Sequence, residues 1–178
     1  LEPPPLMAVD HIKRKWLDVP YADLSSAQKL DIYLPEEGEG PYPVIFGIHG
    51  GAWMKGDKQT EEQYPMVRGL ERGYAVICIN YRLSNEATFP AQIYDCKTAI
   101  RFVRAHASEY KFDPDRIAVW GSSAGGHLCA LLGTSADIDA LEDLSMGWCV
   151  NCHRDANSGR ISGLTNVQAT TDCSACHY

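Results

Sequence analysis

One glycine- and serine-rich motif has the residue types and the spacing that acyl transfer to a hydroxyl group requires. Residues 121–125 read GSSAG and fit the pattern Gly-x-Ser-x-Gly, between a predicted strand, RIAVWG, and a predicted helix, AGGHLCALLGTS. Small residues permit a tight turn that exposes the Ser123 hydroxyl at the carboxyl edge of a sheet. The backbone N–H of Ala124 then points to the same place, where it can stabilise an oxyanion. The pattern alone is common by chance, but its position between a strand and a helix favours Ser123 as a nucleophile.

A second motif, HGGAW at residues 49–53, predicts the other side of an oxyanion hole. It overlaps the end of an earlier apolar run, VIFGIHG, which is typical of a buried strand. Its glycines let the backbone approach a substrate carbonyl, with the N–H groups of Gly51 and Ala52 as donors. A plain glycine turn at the end of a strand is the alternative. The order and spacing of the two motifs argue against that alternative.

The carboxyl-terminal segment contains the pattern Cys-x-x-Cys-His twice. In this pattern two thiols add to the vinyl groups of a haem, and the adjoining histidine becomes the proximal iron ligand. The two copies predict two covalently bound c-type haems, with His153 and His177 as the iron ligands. The six residues that would hold the haems are Cys149, Cys152, His153, Cys173, Cys176 and His177. A zinc ribbon, which needs a similar separation of two Cys-x-x-Cys pairs, and disulfides are the alternatives.

The elements that must position these motifs alternate between strands and helices. Two strands are predicted first, within HIKRKWLDVPYAD and QKLDIYLP, and the turn-rich LSSA between them favours an antiparallel pair. Buried strands follow at VIFGIHG, YAVICINYRL and RIAVWG. Helices are predicted over residues 61–72, which Gly73 would cap, over residues 91–106, and over AGGHLCALLGTS. This alternation predicts an α/β fold with a mostly parallel sheet.

The character of the sequence changes at DIDALEDLSMGW. The residues that follow have neither a helical nor a strand period and are rich in Asn, Ser, Thr, Gly and Cys. A segment with so few apolar residues needs a cofactor, a metal or disulfides in order to fold. We therefore predict two domains, an α/β domain of residues 1–143 and a short irregular tail of residues 144–178.

Composition and charge limit the class of protein further. The chain has 178 residues, 45% of them hydrophobic, which is enough for one globular domain with a core. Its net charge of −7 gives no electrostatic basis for binding nucleic acid. No apolar run approaches the about 18 residues that span a bilayer, so we expect no transmembrane segment. Cys78, Cys96 and Cys129 are scattered upstream of the tail, which favours core packing over a disulfide framework.

A family resemblance is carried by three stretches, PVIFGIHGGAWMKGDK, YAVICINYRLSNEATFPAQIYDCKTAIRFVRAH and YKFDPDRIAVWGSSAGGHLCALLGTS. They resemble the amino-terminal half of α/β-hydrolase esterases of the carboxylesterase, acetyl-xylan-esterase and feruloyl-esterase-like group. The resemblance runs from about residue 9 to residue 143. It implies an incomplete α/β-hydrolase three-layer sandwich, with Ser123 as the nucleophile and Gly51, Ala52 and Ala124 forming the oxyanion hole. It also implies a serine carboxylesterase that acts on a small ester, with no cofactor in this half.

The sequence departs from this family at the catalytic acid and base. These esterases place the triad in the order Ser, Asp or Glu, and His, with the last two on loops after later strands. Here the resemblance ends at DIDALED, residues 137–143. His49 belongs to the oxyanion loop, His106 is expected at the surface of a helix, and His127 is expected to face away from the base position. None has the context of a catalytic base, so we expect impaired esterase activity.

The tail has a resemblance of its own, at MGWCVNCHR and DCSACHY. These stretches resemble the carboxyl end of the multihaem cytochrome c subunit of alternative complex III-type respiratory assemblies. The resemblance implies electron transfer and, as partners, the subunits of a membrane respiratory complex. Haem attachment needs an extracytoplasmic setting and esterases of this group are often exported, so a periplasmic or secreted location is expected. Because the junction falls inside the α/β fold, we expect a chimera of two genes.

Overall fold

The structure is a computed structural model, and it describes residues 5–134 of the chain. Five strands form one sheet: β1 (Lys15–Pro20), β2 (Lys29–Tyr33), β3 (Tyr42–Ile48), β4 (Ala75–Ile79) and β5 (Phe112–Gly121). Their order across the sheet is β1-β2-β4-β3-β5. The strand β3 is parallel to β4 and β5, whereas β2 is antiparallel to β1 and β4. The predicted domain boundary after residue 143 and the whole predicted tail lie outside the described residues.

The pairing of β1 with β2 confirms the predicted antiparallel pair. The pairing of β2 with β4 corrects the predicted mostly parallel sheet to a mixed one, because these strands are also antiparallel. No helix lies between β2 and β3 in the chain. This connection therefore does not form the helical crossover that keeps consecutive strands parallel.

The centre of the sheet consists of β3 and β4. Every residue of β4 is buried, and in β3 the side chains of Val44, Phe46 and Ile48 have at most 1% of their surface exposed. Continuous runs of β-branched and aromatic residues are typical of strands that are covered on both faces. These positions confirm the two predicted buried strands. In the described part of the sheet β5 pairs only with β3, so it forms an edge and is largely half-exposed.

The segment from residue 61 to residue 72 is helical but interrupted. It consists of a 3₁₀ helix (Glu61–Gln63), the short helix α1 (Tyr64–Val67) and a second 3₁₀ helix (Arg68–Arg72). Pro65 has no N–H to donate to the carbonyl of Glu61, so one continuous α-helix cannot form there. The prediction of a single helix is corrected on this point. The predicted cap is confirmed, because Gly73 has a left-handed φ of 80° and its N–H donates to the last carbonyls.

Three further helices are α2 (Ala91–Ala105), α3 (Ala107–Tyr110) and α4 (Ala124–Thr134). The helices α2 and α4 pack on each other, and both contact β5. On the other face of the sheet, Val67 of α1 packs against Tyr33, Val76 and Cys78. Successive residues of a strand point to opposite faces, so helices cover the described sheet on both sides. This is the predicted α/β layering.

The three cysteines upstream of the tail are reduced and at least partly buried. Cys78 and Cys96 are buried and Cys129 is half-buried, and all three are free thiols, as predicted. Burial raises the pKa of the Cys129 thiol to about 11. Across residues 5–134, no helix has the length and apolar character needed to cross a membrane.

Candidate active site

The turn between β5 and α4 holds Ser123 in an unusual backbone conformation. Its φ is 49°, in the left-handed region that non-glycine residues rarely adopt, and its side chain is exposed. The N–H of Gly125 donates to the carbonyl of Ser122 over 2.8 Å, and the N–H of His127 donates to the carbonyl of Ser123 over 3.0 Å. These bonds begin helix α4 directly after the serine. The hydroxyl of Ser123 therefore projects from a strand-turn-helix unit at the carboxyl end of β5.

Glycine is required in this turn because the turn is pressed against the end of β3. A Cβ atom on Gly125 would lie 2.1 Å from the carbonyl oxygen of Ile48, and one on Gly121 would lie 2.4 Å from the carbonyl carbon of Gly125. Both distances are shorter than any real contact of a Cβ atom. The two glycines of the motif thus allow the serine turn to approach the strand that carries the second motif.

The loop after β3 also has left-handed backbone, at three consecutive residues. The φ values of Gly51, Ala52 and Trp53 are 105°, 53° and 58°. The carbonyl of Gly51 accepts hydrogen bonds from the N–H groups of Met54 and Lys55. Within the described chain, the N–H groups of Gly51 and Ala52 donate to no other residue, and the same is true of Ala124. No described residue therefore accepts a hydrogen bond from these three groups, which the sequence predicts as oxyanion donors.

A carboxylate that the sequence analysis missed joins the two motifs. One oxygen of Glu62, Oε1, accepts a hydrogen bond from the N–H of Gly50 over 2.7 Å. The other, Oε2, accepts one from the hydroxyl of Ser122 over 2.9 Å. Gly50 and Ser122 also lie close to each other, because a Cβ on Gly50 would be 3.0 Å from the hydroxyl oxygen of Ser122. Glu62 belongs to a segment predicted only as an ordinary helix, so no local signal marked it.

His49 is buried at the start of the loop after β3, and its contacts hold this loop in place. It is 1% exposed, its ring stacks on Tyr81 at 4.4 Å, and the Tyr81 hydroxyl donates to its carbonyl over 3.0 Å. Its Nδ1 lies 2.7 Å from the carbonyl oxygen of Gly50, which can only accept, so Nδ1 carries the proton. Burial lowers the pKa of His49, and the Gly50 hydrogen bond and the charge of Glu62 oppose this in part. A buried, neutral imidazole bonded to its own loop has a structural role.

The other two histidines considered as bases are also engaged elsewhere. His127 packs with its ring edge-on to Trp53 at 5.3 Å, and burial lowers its pKa. His106 stacks on Phe102 at 3.9 Å and is partly exposed at the surface of α2. Its Nδ1 lies 2.9 Å from the carbonyl oxygen of Phe102, so the ring is engaged with its own helix. Within residues 5–134, no side chain forms a hydrogen bond with the hydroxyl of Ser123.

The residues predicted to bind haem belong to the tail. All six residues predicted to hold haem, from Cys149 to His177, lie outside the described residues. In the range that the structure describes, no group of three or more His, Cys, Asp or Glu side chains is arranged to hold a metal ion.

Comparison with known proteins identifies the family. The BD-FAE family matches residues 30–176. Among curated proteins, the chain is 43% identical over 116 residues to the probable carboxylic ester hydrolase LipM of Mycobacterium tuberculosis, covering 64% of this chain and 27% of LipM. It is 39% identical over 127 residues to the esterase LipQ of the same organism, covering 70% of this chain and 30% of LipQ. The chain therefore spans less than a third of the length of these relatives.

Solved structures give the same result for the fold. A truncated carbohydrate esterase from gut microbiota superposes with a TM-score of 0.64 at 41% identity, covering 72% of this chain and 46% of that chain. Esterase B from Lactobacillus rhamnosis superposes with a TM-score of 0.63 at 28% identity, covering 72% of this chain and 43% of that chain. Since the family match covers well over half of the sequence, this chain belongs to the BD-FAE family and is by family a carboxylesterase-type hydrolase.

Proposed function

We propose that the chain carries the nucleophile and the oxyanion hole of a serine carboxylic-ester hydrolase, with the acyl-enzyme formed on Ser123. One observation carries the proposal. The strained, exposed Ser123 turn packs against a loop whose Gly51 and Ala52 N–H groups have no partner in the described chain. Nucleophile and donors on two different elements are what acyl transfer through a tetrahedral intermediate requires.

The chemistry proposed for Ser123 has two steps. In the first, its Oγ bonds to the ester carbonyl carbon and loses its proton, and the carbonyl oxygen becomes an oxyanion that accepts hydrogen bonds from Gly51, Ala52 and Ala124. The intermediate collapses by breaking the bond to the alkoxy oxygen, which leaves as the alcohol after taking up a proton. In the second step water attacks the acyl-enzyme, which releases the carboxylic acid and restores the Ser123 hydroxyl.

Proton transfer is the weak point of this mechanism in the described residues. A base must remove the Ser123 proton, and within residues 5–134 no imidazole forms a hydrogen bond with that hydroxyl. Loss of a triad member lowers the rate by about 10⁴ or more. We therefore propose that residues 5–134 by themselves support only slow turnover, and that the substrate is a small ester, in keeping with relatives named as esterases.

A fluorophosphonate probe tests the proposal because it bonds covalently to a nucleophilic serine. Mass spectrometry of the full chain should place the probe on Ser123, and Ser123→Ala should not react. Ser108→Ala, which removes an exposed hydroxyl on α3, is the matched control and should react like the wild type. Labelling at another residue, or equal labelling of Ser123→Ala, would remove Ser123 from the mechanism. Hydrolysis of p-nitrophenyl acetate measures the turnover that remains.

A second proposal concerns the tail and is based on its two Cys-x-x-Cys-His motifs alone. We propose that residues 144–178 bind two haems covalently and transfer electrons to a respiratory partner, outside the cytoplasm. Bound haem would supply one-electron transfer, and Cys149, Cys152 and His153 would hold the first group. Expression in a strain competent in cytochrome c maturation should give a Soret band that survives acid-acetone extraction. A colourless protein that contains zinc would favour the zinc alternative instead.

A further inference from the structure

We infer that Glu62 is a positioning residue, whose carboxylate sets the oxyanion loop and the nucleophile turn at the correct distance from each other. The inference rests on the proposed function of Ser123. Glu62 does not need to touch the substrate for this role. It acts through Gly50, one residue before the first oxyanion donor, and through Ser122, one residue before the nucleophile.

The geometry of the contact is that of a two-sided clamp. The two oxygens of the carboxylate bind donors on different elements, the N–H of Gly50 at 2.7 Å and the hydroxyl of Ser122 at 2.9 Å. Glu62 and Ser122 are 60 residues apart in the sequence. No other described side chain forms hydrogen bonds with both motifs. A carboxylate has two acceptor oxygens, so it can satisfy both donors without a change of rotamer.

The backbone that carries Glu62 is itself fixed. The N–H of Gln63 donates to the carbonyl of Thr60, and Thr60 donates from both its N–H and its hydroxyl to the carbonyl of Asp57. On the amino-terminal side, the N–H of Glu61 donates to the carbonyl of Pro5. The short 3₁₀ helix is therefore anchored at its amino-terminal end, which places the carboxylate of Glu62 at a defined position. A mobile side chain could not hold two loops in register.

The clamp matters because an oxyanion hole built from two elements has narrow tolerances. The donors of Gly51 and Ala52 come from the loop after β3, and the donor of Ala124 comes from the start of α4. Catalytic groups must be held within about 0.5 Å of the productive geometry, and an error of 1 Å can lower the rate about 10²-fold. Charge-assisted hydrogen bonds such as those of Glu62 are about twice as strong as neutral ones. They are suited to hold such a distance.

The charge of Glu62 also acts on a neighbouring residue, so an effect of its charge must be distinguished from an effect of its position. It raises the pKa of His49 against the larger effect of burial. Glu62→Gln removes this charge but keeps one oxygen for the N–H of Gly50, while its amide can donate to the Ser122 hydroxyl. Glu62→Ala removes both contacts. If position is what matters, the Gln variant should restore most of what the Ala variant loses.

The test combines two readouts on the full chain. The first is amide hydrogen exchange by NMR at Gly50, whose N–H donates to Glu62. In Glu62→Ala, exchange at Gly50 should accelerate at least about tenfold, while the core amides of β4 keep their wild-type rates. The second is the rate of fluorophosphonate labelling at Ser123, which should fall about 10-fold to 100-fold. Glu62→Gln should recover most of the protection at Gly50 and most of the labelling rate at Ser123. Glu61→Ala, at an exposed neighbouring position on the same helix, should change neither rate.

The outcomes separate this inference from the proposed function. Unchanged exchange at Gly50 in Glu62→Ala would overturn the clamp, whether or not Ser123 is labelled. Equal acceleration throughout the chain would also overturn it, because Glu62 would then only stabilise the fold. A Gln variant as impaired as the Ala variant would show that charge, not position, is responsible. If the wild type is not labelled, the function of Ser123 fails, while exchange at Gly50 still decides whether the clamp exists.

Discussion

Ser123, Ala52 and Trp53 all have φ values between 49° and 58°, a conformation that disfavours residues with a Cβ atom. Such a residue costs about 1–2 kcal/mol and persists only where its surroundings fix it. Here the surroundings are close backbone contacts, above all between the serine turn and the end of β3. The glycine that permits this contact is therefore as important for the geometry of the turn as Ser123 itself.

Gly125→Ala tests this close approach. Its Cβ would lie 2.1 Å from the carbonyl oxygen of Ile48, and backbone atoms cannot move aside as a flexible side chain can. We expect a loss of about 1–3 kcal/mol in the free energy of unfolding by urea, together with slower labelling of Ser123. Gly133→Ala in the same helix meets nothing within 4 Å and should raise stability by up to about 1 kcal/mol. Equal stabilities of the two variants would contradict the close approach.

Lys58 is a second residue whose contribution to stability depends on its buried surroundings. It is 3% exposed, and its ammonium lies 3.0 Å from Asp18 and 3.2 Å from the fully buried Asp31. The hydrogen bond from Lys58 lowers the pKa of the Asp18 carboxyl below its ordinary value of 3.8. A lowered carboxyl pKa contributes stability above the unfolded value, and this stability is lost as the pH falls through the folded value.

Lys58→Met should therefore change both stability and its acid dependence. At neutral pH we expect a loss of about 3–5 kcal/mol, because Asp31 stays buried without its cation. In the wild type the contribution of Asp18 should decline progressively as the pH falls below about 4, and in the variant this decline should be absent. Lys13→Met, which removes an exposed ion pair with Glu36, should leave stability nearly unchanged. Urea unfolding of the wild type and the two variants at pH 7 and pH 3 measures these changes. If the wild type and Lys58→Met lost the same stability between the two pH values, the effect assigned to the Lys58–Asp18 pair would be refuted.

At the scale of elements, one buried carboxylate joins helix α2 to two loops. Asp95, 1% exposed, accepts a hydrogen bond from Gln28 at 2.7 Å and from the backbone N–H of Arg82 at 2.9 Å. The guanidinium of Arg82 donates to both of its oxygens. The loop after Arg82 continues to Ser84, whose N–H donates to the carbonyl of Trp53 in the oxyanion loop. The position of α2 is thus linked to the active-site loop.

Asp95→Asn tests this link. Because the amide is neutral, the Arg82 guanidinium would lose its charge partner at a nearly buried position. The amide nitrogen would also face hydrogen-bond donors. We expect a loss of about 3–5 kcal/mol in the free energy of unfolding. Asp115→Asn, at an exposed position on β5, should change stability by no more than about 0.5 kcal/mol. If thermal or urea unfolding gave the same stability for both variants, the Asp95 network would not hold α2 in place.

For the whole molecule, the sheet edge at β5 is the feature with the largest consequence. In the described part of the sheet β5 pairs only with β3, and Ala118 on it is exposed. A cavity of about 460 Å³ lies beside it, lined in part by Ile45 and Met66. Edge strands present unpaired N–H and C=O groups that pair readily with a second chain. Within the described residues, this edge is therefore open to a further strand from the same chain or from a second copy.

We expect the chain to associate as its concentration rises. In sedimentation velocity the average mass should increase with concentration, because β5 of one copy can pair with β5 of another. Ala118→Lys, which adds a charge to the edge, should shift the protein toward the monomer. Asp23→Ala, an exposed position in the loop between β1 and β2, which lie at the opposite end of the sheet from β5, is a control that should behave like the wild type. A monomer at all concentrations in the wild type would show that the edge is covered.

Much of this protein could be predicted from local sequence. The buried strands β3 and β4, the β1–β2 pair, the cap at Gly73 and the turn around Ser123 each depend on residues that are neighbours in the chain. Apolar runs, turn residues and glycine spacing record such local requirements directly. The family assignment follows from the same stretches. The haem motifs of the tail remain predictions from sequence.

Only the tertiary structure decided how these parts meet. The antiparallel pairing of β2 with β4, which makes the sheet mixed, depends on the path of the chain between strands rather than on their composition. The contact of Glu62 with Gly50 and Ser122 joins residues up to 60 positions apart. A glutamate in a helical segment looks the same in sequence whether it faces solvent or two backbone turns. Long-range contacts have no local pattern, because they arise from packing that is fixed only when the whole sheet has formed.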